Sequence, residues 1–187
     1  MSNKADNILN SLAEFTSDDD SLPPVERWNP EFCGDIDIII KANGDWLHDG
    51  KPISRKRLSV LFSRVLIKQQ DQYFLITPVE KLAIQVEWQP FVIVDFEIYQ
   101  QDGLNCFLML DNCNNKIRLN SESQLAFSHF QGQSLPIINV RRNLYASFSR
   151  NCYYRLIEQA TVVKHPQYET LHITSAGVDF CLGKIEL

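Results

Sequence analysis

No uncharged apolar run in the sequence approaches the roughly 18 residues a membrane-spanning helix needs. The polar N-terminus lacks the apolar core of a secretory leader. Glycine is scarce, at seven of 187 residues. None falls in the order G-x-G-x-x-G, G-x-x-x-x-G-K-[ST] or G-x-S-x-G, so the dinucleotide fingerprint, the phosphate-binding loop and the nucleophile elbow are all missing. The cysteines (Cys33, Cys106, Cys113, Cys152, Cys181) are odd in number and form no C-x-x-C pair, which argues against a disulfide framework or a structural zinc site. They read as small buried residues in a reducing compartment. Cys152 as a nucleophile is the alternative, but no histidine lies near it in sequence. His129, His165 and His172 are scattered without metal-ligand spacing. These absences predict a soluble, cytoplasmic protein with no metal, no cofactor and no membrane partner.

What is present excludes disorder for most of the chain: 44% hydrophobic residues, with eleven Phe, six Tyr and three Trp. The length suits one domain or two small ones. Charge is uneven. Residues 1–35 carry eight acids against Lys4 and Arg27, a net of −6, which leaves the remainder at +1. Within that remainder, residues 41–68 hold seven Lys or Arg against two Asp, and residues 141–155 hold four Arg and no acid. Two basic clusters in a nearly neutral body are too little for a nucleic-acid polymer and enough for a small anion.

Residues 1–22 read as a partly flexible segment with one short apolar stripe (Ile8, Leu12, Phe15) before the acidic run Asp18-Asp19-Asp20. An N-terminal α+β domain follows over residues 23–87. Ile36, Ile38 and Ile40 alternate as one apolar strand face, and Asn43-Gly44 turns the chain back. Ser54 is placed to cap a helix whose stripe runs Leu58, Leu61, Phe62, Val65, Leu66, with Ile53 and Leu58 as its hydrophobic staple. Strands are predicted near Tyr73–Ile76 and Leu82–Val86. Residues 88–187 read as mostly β, with a second helix starting at Ser149 and two last strands near Leu171–Thr174 and Val178–Leu182.

The two helix starts share a pattern. Ile53-Ser54-Arg55 and Phe148-Ser149-Arg150 each give an apolar residue, a Ser cap and an Arg at the first helical position. The fold class is therefore α+β, with a duplicated β-hairpin, helix and two-strand motif. An Arg at a helix start is a mild misfit with the helix dipole, worth roughly 0.3–1 kcal/mol, unless an anion sits there. Free N–H groups and a guanidinium together suit phosphate or carboxylate. Packed face to face, the repeats would line one cleft with Arg55 and Arg150, and Arg141 and Arg142 add charge upstream. The alternative is that each Arg pairs with Glu80, Glu87, Asp95 or Glu97. Trp46 and His48, two apart on one strand, share a face and form either a stacking platform for a base or a core Trp beside a surface His. Glu80 or His48 would be the proton-transfer group of an enzyme on a phosphorylated substrate; a protein-interaction module is a third reading.

The stretches Pro24-Val25-Glu26-Arg27-Trp28-Asn29-Pro30, Cys33-Gly34-Asp35-Ile36, Gly50-Lys51-Pro52-Ile53-Ser54-Arg55, Thr77-Pro78-Val79-Glu80-Lys81 and Pro90-Phe91 resemble the bacterial domain of unknown function 1285 family. Arg141, Asn143-Leu144, Arg150, Tyr153 and Ser175-Ala176-Gly177 are similar to its C-terminal pattern. Gln89 and Cys181 depart from it. The resemblance implies a duplicated α+β core, a C-terminal half like a pleckstrin-homology barrel capped by a helix, and a pocket between the halves. It implies a nucleotide-like or other anionic small molecule as ligand, in a signalling context, with a protein partner also compatible. The matching pocket positions are Arg55, Thr77, Glu80, Arg141, Arg150 and Ser175, and no catalytic residue transfers.

Overall fold

The computed structural model describes residues 22–121 and 124–186. The apolar stripe and acidic run of the first 21 residues lie outside them. The chain divides into two compact units, Met1–Trp88 and Gln89–Leu187.

In the first unit a short 3-10 turn over Val25–Arg27 precedes β1 (Phe32–Ile40), β2 (Trp46–His48) and β3 (Lys51–Pro52), then α1 (Lys56–Arg64), β4 (Leu66–Gln69), β5 (Gln72–Ile76) and β6 (Lys81–Val86). All six strands form one sheet in the order β3-β2-β1-β6-β5-β4. Neighbours are antiparallel except the central pair, where β1 runs parallel to β6. The alternation of Ile36, Ile38 and Ile40 makes β1 what it is: all three are buried, and the last two have no exposed surface. Each such side chain stabilises by about 1.5–3 kcal/mol relative to exposure. Phe62 of α1 closes that face by stacking on Trp46, with ring centroids 6.2 Å apart and planes at 25°.

The second unit runs β7 (Phe91–Gln101), β8 (Leu104–Asp111), β9 (Lys116–Arg118), β10 (Leu125–Phe130), β11 (Gln133–Arg141), β12 (Leu144–Phe148), α2 (Arg150–Ile157), β13 (Thr161–Lys164), β14 (Tyr168–Ser175) and β15 (Val178–Glu186). Six strands pair as β10-β11-β12-β7-β8-β9, and the last three make a separate antiparallel sheet. The join between the two meanders of the larger sheet is again parallel, β12 beside β7. Phe91, Ile93, Met109, Leu119, Leu144, Leu156, Phe180 and Leu182 form its fully buried core.

The two six-stranded sheets thus share one plan: two three-strand meanders joined through their first and sixth strands. The duplication is real at the level of sheets, but its frame differs from the one read off the helix starts. Helix α1 falls between the third and fourth strands of its sheet, whereas α2 follows the sixth strand of the other. Two strands also escape the sequence pattern. Val65 and Leu66 fit the helical stripe, yet α1 stops at Arg64 and Leu66 opens β4, paired with Leu75. Strand β13 is exposed along its whole length and carries no apolar alternation to announce it. Among the described residues no helix is long and apolar enough to cross a membrane.

Candidate functional site

In the first unit the β2–β3 turn and the start of α1 border an open surface hollow of about 410 Å³. His48, Asp49, Lys51, Ser54 and Arg55 line it above Pro52, Ile53 and Leu58. The turn forms because Asp49 and Gly50 both take positive φ, 49° and 70°, the geometry of a two-residue hairpin loop. It brings Lys51 back beside His48 in register. Ile53 N–H donates to the Trp46 carbonyl at 2.8 Å, which carries the pairing past β3 and aims the following residues at the rim. A volume of this size is in the range of small-molecule sites. Its charge comes from Lys51 and Arg55, against one acid, Asp49, whose Oδ1 is 3.9 Å from His48 Nε2.

The cap of α1 corrects the sequence reading. Arg55, not Ser54, is the N-cap residue, and no side chain accepts from the first-turn amides. The Arg55 carbonyl accepts from Leu58 N–H at 2.8 Å, but its guanidinium makes no hydrogen bond or ion pair among the described residues. An uncapped helix start with an unpaired guanidinium on it therefore faces the hollow. At α2 the reading holds: Ser149 is the N-cap and its Oγ accepts from Cys152 N–H at 3.3 Å. Phe148 and Tyr153 form the staple there, with ring centroids 5.8 Å apart. Arg150 is the first helical residue, and its guanidinium lies over the Tyr154 ring at 5.9 Å. Arg55 and Arg150 thus occupy different cap positions.

Of the other candidates in this unit, Trp46 is 4% exposed. Packed on Phe62, it offers no face to a base, so the stacking-platform reading is corrected. Thr77 is fully buried and closes the β5–β6 turn: its N–H donates to the Glu80 carbonyl at 2.8 Å and its Oγ1 accepts from Glu80 N–H at 3.1 Å. Glu80 lies in that turn and does not line the hollow with His48. Glu87 is held by the Lys41 ammonium and by Ala42 N–H at 3.0 Å, which together keep its carboxyl below the ordinary range.

Comparison with known proteins gives two matches that overlap at residues 90–99. A model of the N-terminal domain of the DUF1285 family, a domain of unknown function, matches residues 23–99, and that of its C-terminal domain matches residues 90–182. The chain belongs to the DUF1285 family. A crystal structure of a DUF1285 family protein from Silicibacter pomeroyi DSS-3 is 30% identical, with a TM-score of 0.77 over 96% of this chain and 95% of that one. Another, from Shewanella baltica OS155, is 29% identical, with a TM-score of 0.51 over 65% of this chain and 90% of that one. No curated protein matches the chain.

In the second unit of this DUF1285 protein the remaining candidates are architectural. Ser175 is fully buried and bonded on both sides, to Phe107 N–H at 2.8 Å and to the Leu119 carbonyl at 2.6 Å. Arg141 donates to Asn115 Oδ1 at 2.7 Å and lies over the Phe91 ring at 4.9 Å. Asn115 in turn donates to Asp111, a buried carboxylate that sequence reasoning missed. Asp111 accepts from Cys113 N–H and Asn115 N–H, both at 2.8 Å, and from Asn115 Nδ2 at 2.6 Å. Burial nonetheless pushes its carboxyl above the ordinary value. The available signal was the turn composition of Asp111-Asn112-Cys113-Asn114-Asn115. Asp95, a possible partner for Arg55 or Arg150 by sequence, pairs instead with Arg155 at 2.7 Å. Cys152 is fully buried, and burial pushes its thiol up to about 11. That leaves no thiolate for nucleophilic work. All five cysteines are free thiols, three of them buried, and among the described residues no group of three or more His, Cys, Asp or Glu is placed for a metal.

Proposed function

We propose that this protein binds a small phosphate- or carboxylate-bearing molecule, of a nucleotide-like kind, at the hollow in front of α1, and acts as a cytoplasmic ligand sensor. One observation carries the reading: Arg55 stands unpaired at an uncapped helix start, beside Lys51 and His48, over a cavity of about 410 Å³. Free amides, the positive end of the helix and a fork-shaped cation favour the same charge at the same place. The free thiols support a reducing setting. Two meanders followed by α2 support reading the second unit as a pleckstrin-homology-like barrel. The test is a thermal-shift titration with inorganic phosphate, nucleoside monophosphates and the matching neutral nucleosides. Phosphate-dependent stabilisation that disappears in Arg55→Ala and weakens in Lys51→Ala supports the site. Stabilisation by neutral nucleosides alone, or an unchanged response in Arg55→Ala, overturns it.

A protein-interaction role has its own support in β13, an edge strand whose Val162 and Val163 are 50% and 41% exposed. Exposed apolar sheet edges invite pairing with another chain. Capture of a partner that is lost when Val163 becomes Lys, with no anion response, favours this second reading.

A further inference from the structure

The three-stranded sheet has two unlike faces. Leu171, Ile173 and Ser175 of β14 and Phe180 and Leu182 of β15 are buried. Alternation along β14 therefore turns Tyr168, Thr170, His172 and Thr174 to the other side. On that side the hydrogen bonds run in a line. Asp179 Oδ2 is 2.6 Å from His172 Nδ1, and His172 Nε2 is 2.9 Å from Thr170 Oγ1. His165 Nε2 approaches the same hydroxyl at 3.1 Å, with its ring stacked on Tyr168 at 4.4 Å. Lys184 pairs with Thr170 across the ladder, so both side chains share this face.

We propose that this face is an acyl-transfer site, with Thr170 as nucleophile, His172 as general base and Asp179 as the positioning residue, acting on an activated ester or thioester. A hydroxyl within hydrogen-bond reach of an imidazole that is itself oriented by a carboxylate is the arrangement that nucleophilic catalysis requires, whatever the fold. The network suits one arrangement of protons. A carboxylate accepts only, so His172 Nδ1 donates to Asp179, and in the neutral ring Nε2 presents a lone pair to the Thr170 hydroxyl. With His165 Nε2 as donor to Oγ1, the hydroxyl proton is directed at His172. The His172 side chain is 19% exposed, shielded enough to hold its orientation, and Thr170 is half-buried.

The chemistry balances within these groups. Thr170 Oγ1 forms a bond to the acyl carbon as its proton passes to His172 Nε2, and Asp179 stabilises the resulting imidazolium. The C–O or C–S bond to the leaving group breaks, and that atom takes the proton back from Nε2. Water then attacks the threonyl ester by the same route, releasing a carboxylic acid and restoring Thr170. The Lys184 ammonium, on the same face, lies over the Tyr168 ring at 4.4 Å and 3.7 Å from Glu186 Oε1, and is the cation this face offers to the developing oxyanion.

The test uses the full chain and p-nitrophenyl acetate, following nitrophenolate release and mapping the acetyl group by peptide mass spectrometry. A hydroxylamine-labile ester on Thr170 is expected, absent in Thr170→Val and retained in Thr170→Ser. His172→Gln lowers the rate of ester formation at Thr170 by about 100-fold or more, the usual scale of general-base catalysis. Asp179→Asn lowers it too and alters its pH profile, which a merely structural residue would leave in place. No ester on Thr170 in the wild-type chain, or an equal rate of its formation in His172→Gln, overturns the proposal. Should His172→Gln fail to fold, Asp179→Asn decides by the same criterion.

Discussion

The hydroxyl of Ser175 donates to the carbonyl of Leu119 at 2.6 Å while accepting from the amide of Phe107 at 2.8 Å. Leu119 N–H already bonds the Phe107 carbonyl at 3.0 Å. The Ser175 oxygen therefore sits inside what would be a closed antiparallel pair, replacing one backbone bond with a two-step relay. It ties the small sheet to the large one at a point with no exposed surface. Ser175→Ala leaves a donor and an acceptor buried together, each worth about 1–3 kcal/mol. We expect a loss of about 2–4 kcal/mol in urea denaturation and faster hydrogen exchange at the Phe107 amide. A loss below about 0.5 kcal/mol would mean that the ladder closes without the hydroxyl.

The turn after Ser175 carries strain of a different kind. Ala176 and Gly177 both have positive φ, 51° and 79°, and so make a two-residue hairpin loop between β14 and β15. The left-handed region costs a non-glycine residue roughly 1–2 kcal/mol, less for Asn, whose short polar side chain bonds locally. Ala176→Asn is expected to raise stability by about 0.5–1 kcal/mol, and Gly177→Ala to lower it by a similar amount or more. Matched thermal melts of the two variants check the opposite signs, and equal signs would refute the assignment.

Arg55 lends itself to a test in which stability and binding move apart. Its position is that of an N-cap, with φ −83° and ψ 96°, yet it provides no cap. Arg55→Ser supplies the missing acceptor, worth about 0.5–2 kcal/mol, while removing the guanidinium. The prediction is a higher melting temperature without ligand and no further shift on adding phosphate. A variant that is destabilised and still responds to phosphate would show that Arg55 holds the local fold and not an anion.

What the sequence disclosed was local. The Ile36, Ile38, Ile40 alternation, the Asn43-Gly44 return and the Ser149 cap each depend on neighbours within a few residues, and each is found in place. Failures arose where two local patterns fit the same residues, as at Val65 and Leu66, or where the decisive partner was remote. Nothing near Ser175 announces Leu119, 56 residues away. The parallel joins of β1 with β6 and β7 with β12 are likewise products of long-range pairing, which is why the repeat was framed on its helices. Arg55 and His48 do line one hollow, because a hairpin turn links them in a stretch short enough to read. Arg141 and Ser175 are pocket candidates through the family resemblance, and their partners lie too far along the chain for sequence to reveal that they are already engaged.

Arg141 shows how such an engaged cation should behave with pH. Its partner Asn115 also holds Asp111, whose carboxyl is pushed up by burial and pulled down by Asn115, the Cys113 amide and the Arg141 charge. Burial wins, so the folded state takes a proton more readily than the unfolded chain. The contribution of Asp111 to stability is therefore fully present below its ordinary value of 3.8 and is lost as pH rises through its raised folded titration. Removing Arg141 lifts that titration further and widens the window. Arg141→Met is expected to lose about 1.5–3 kcal/mol at neutral pH, the scale of a hydrogen bond to a charged group, and less as pH falls and Asp111 becomes protonated. Glu87 and Asp95 run the other way, held low by Lys41 and Arg155, but they are common to both proteins and cancel in the difference. Urea denaturation of wild type and variant between pH 4.5 and 7.5 reads that difference directly. A penalty that stays constant across the range would mean that Arg141 acts through packing on Phe91 alone, with no coupling to the buried carboxylate.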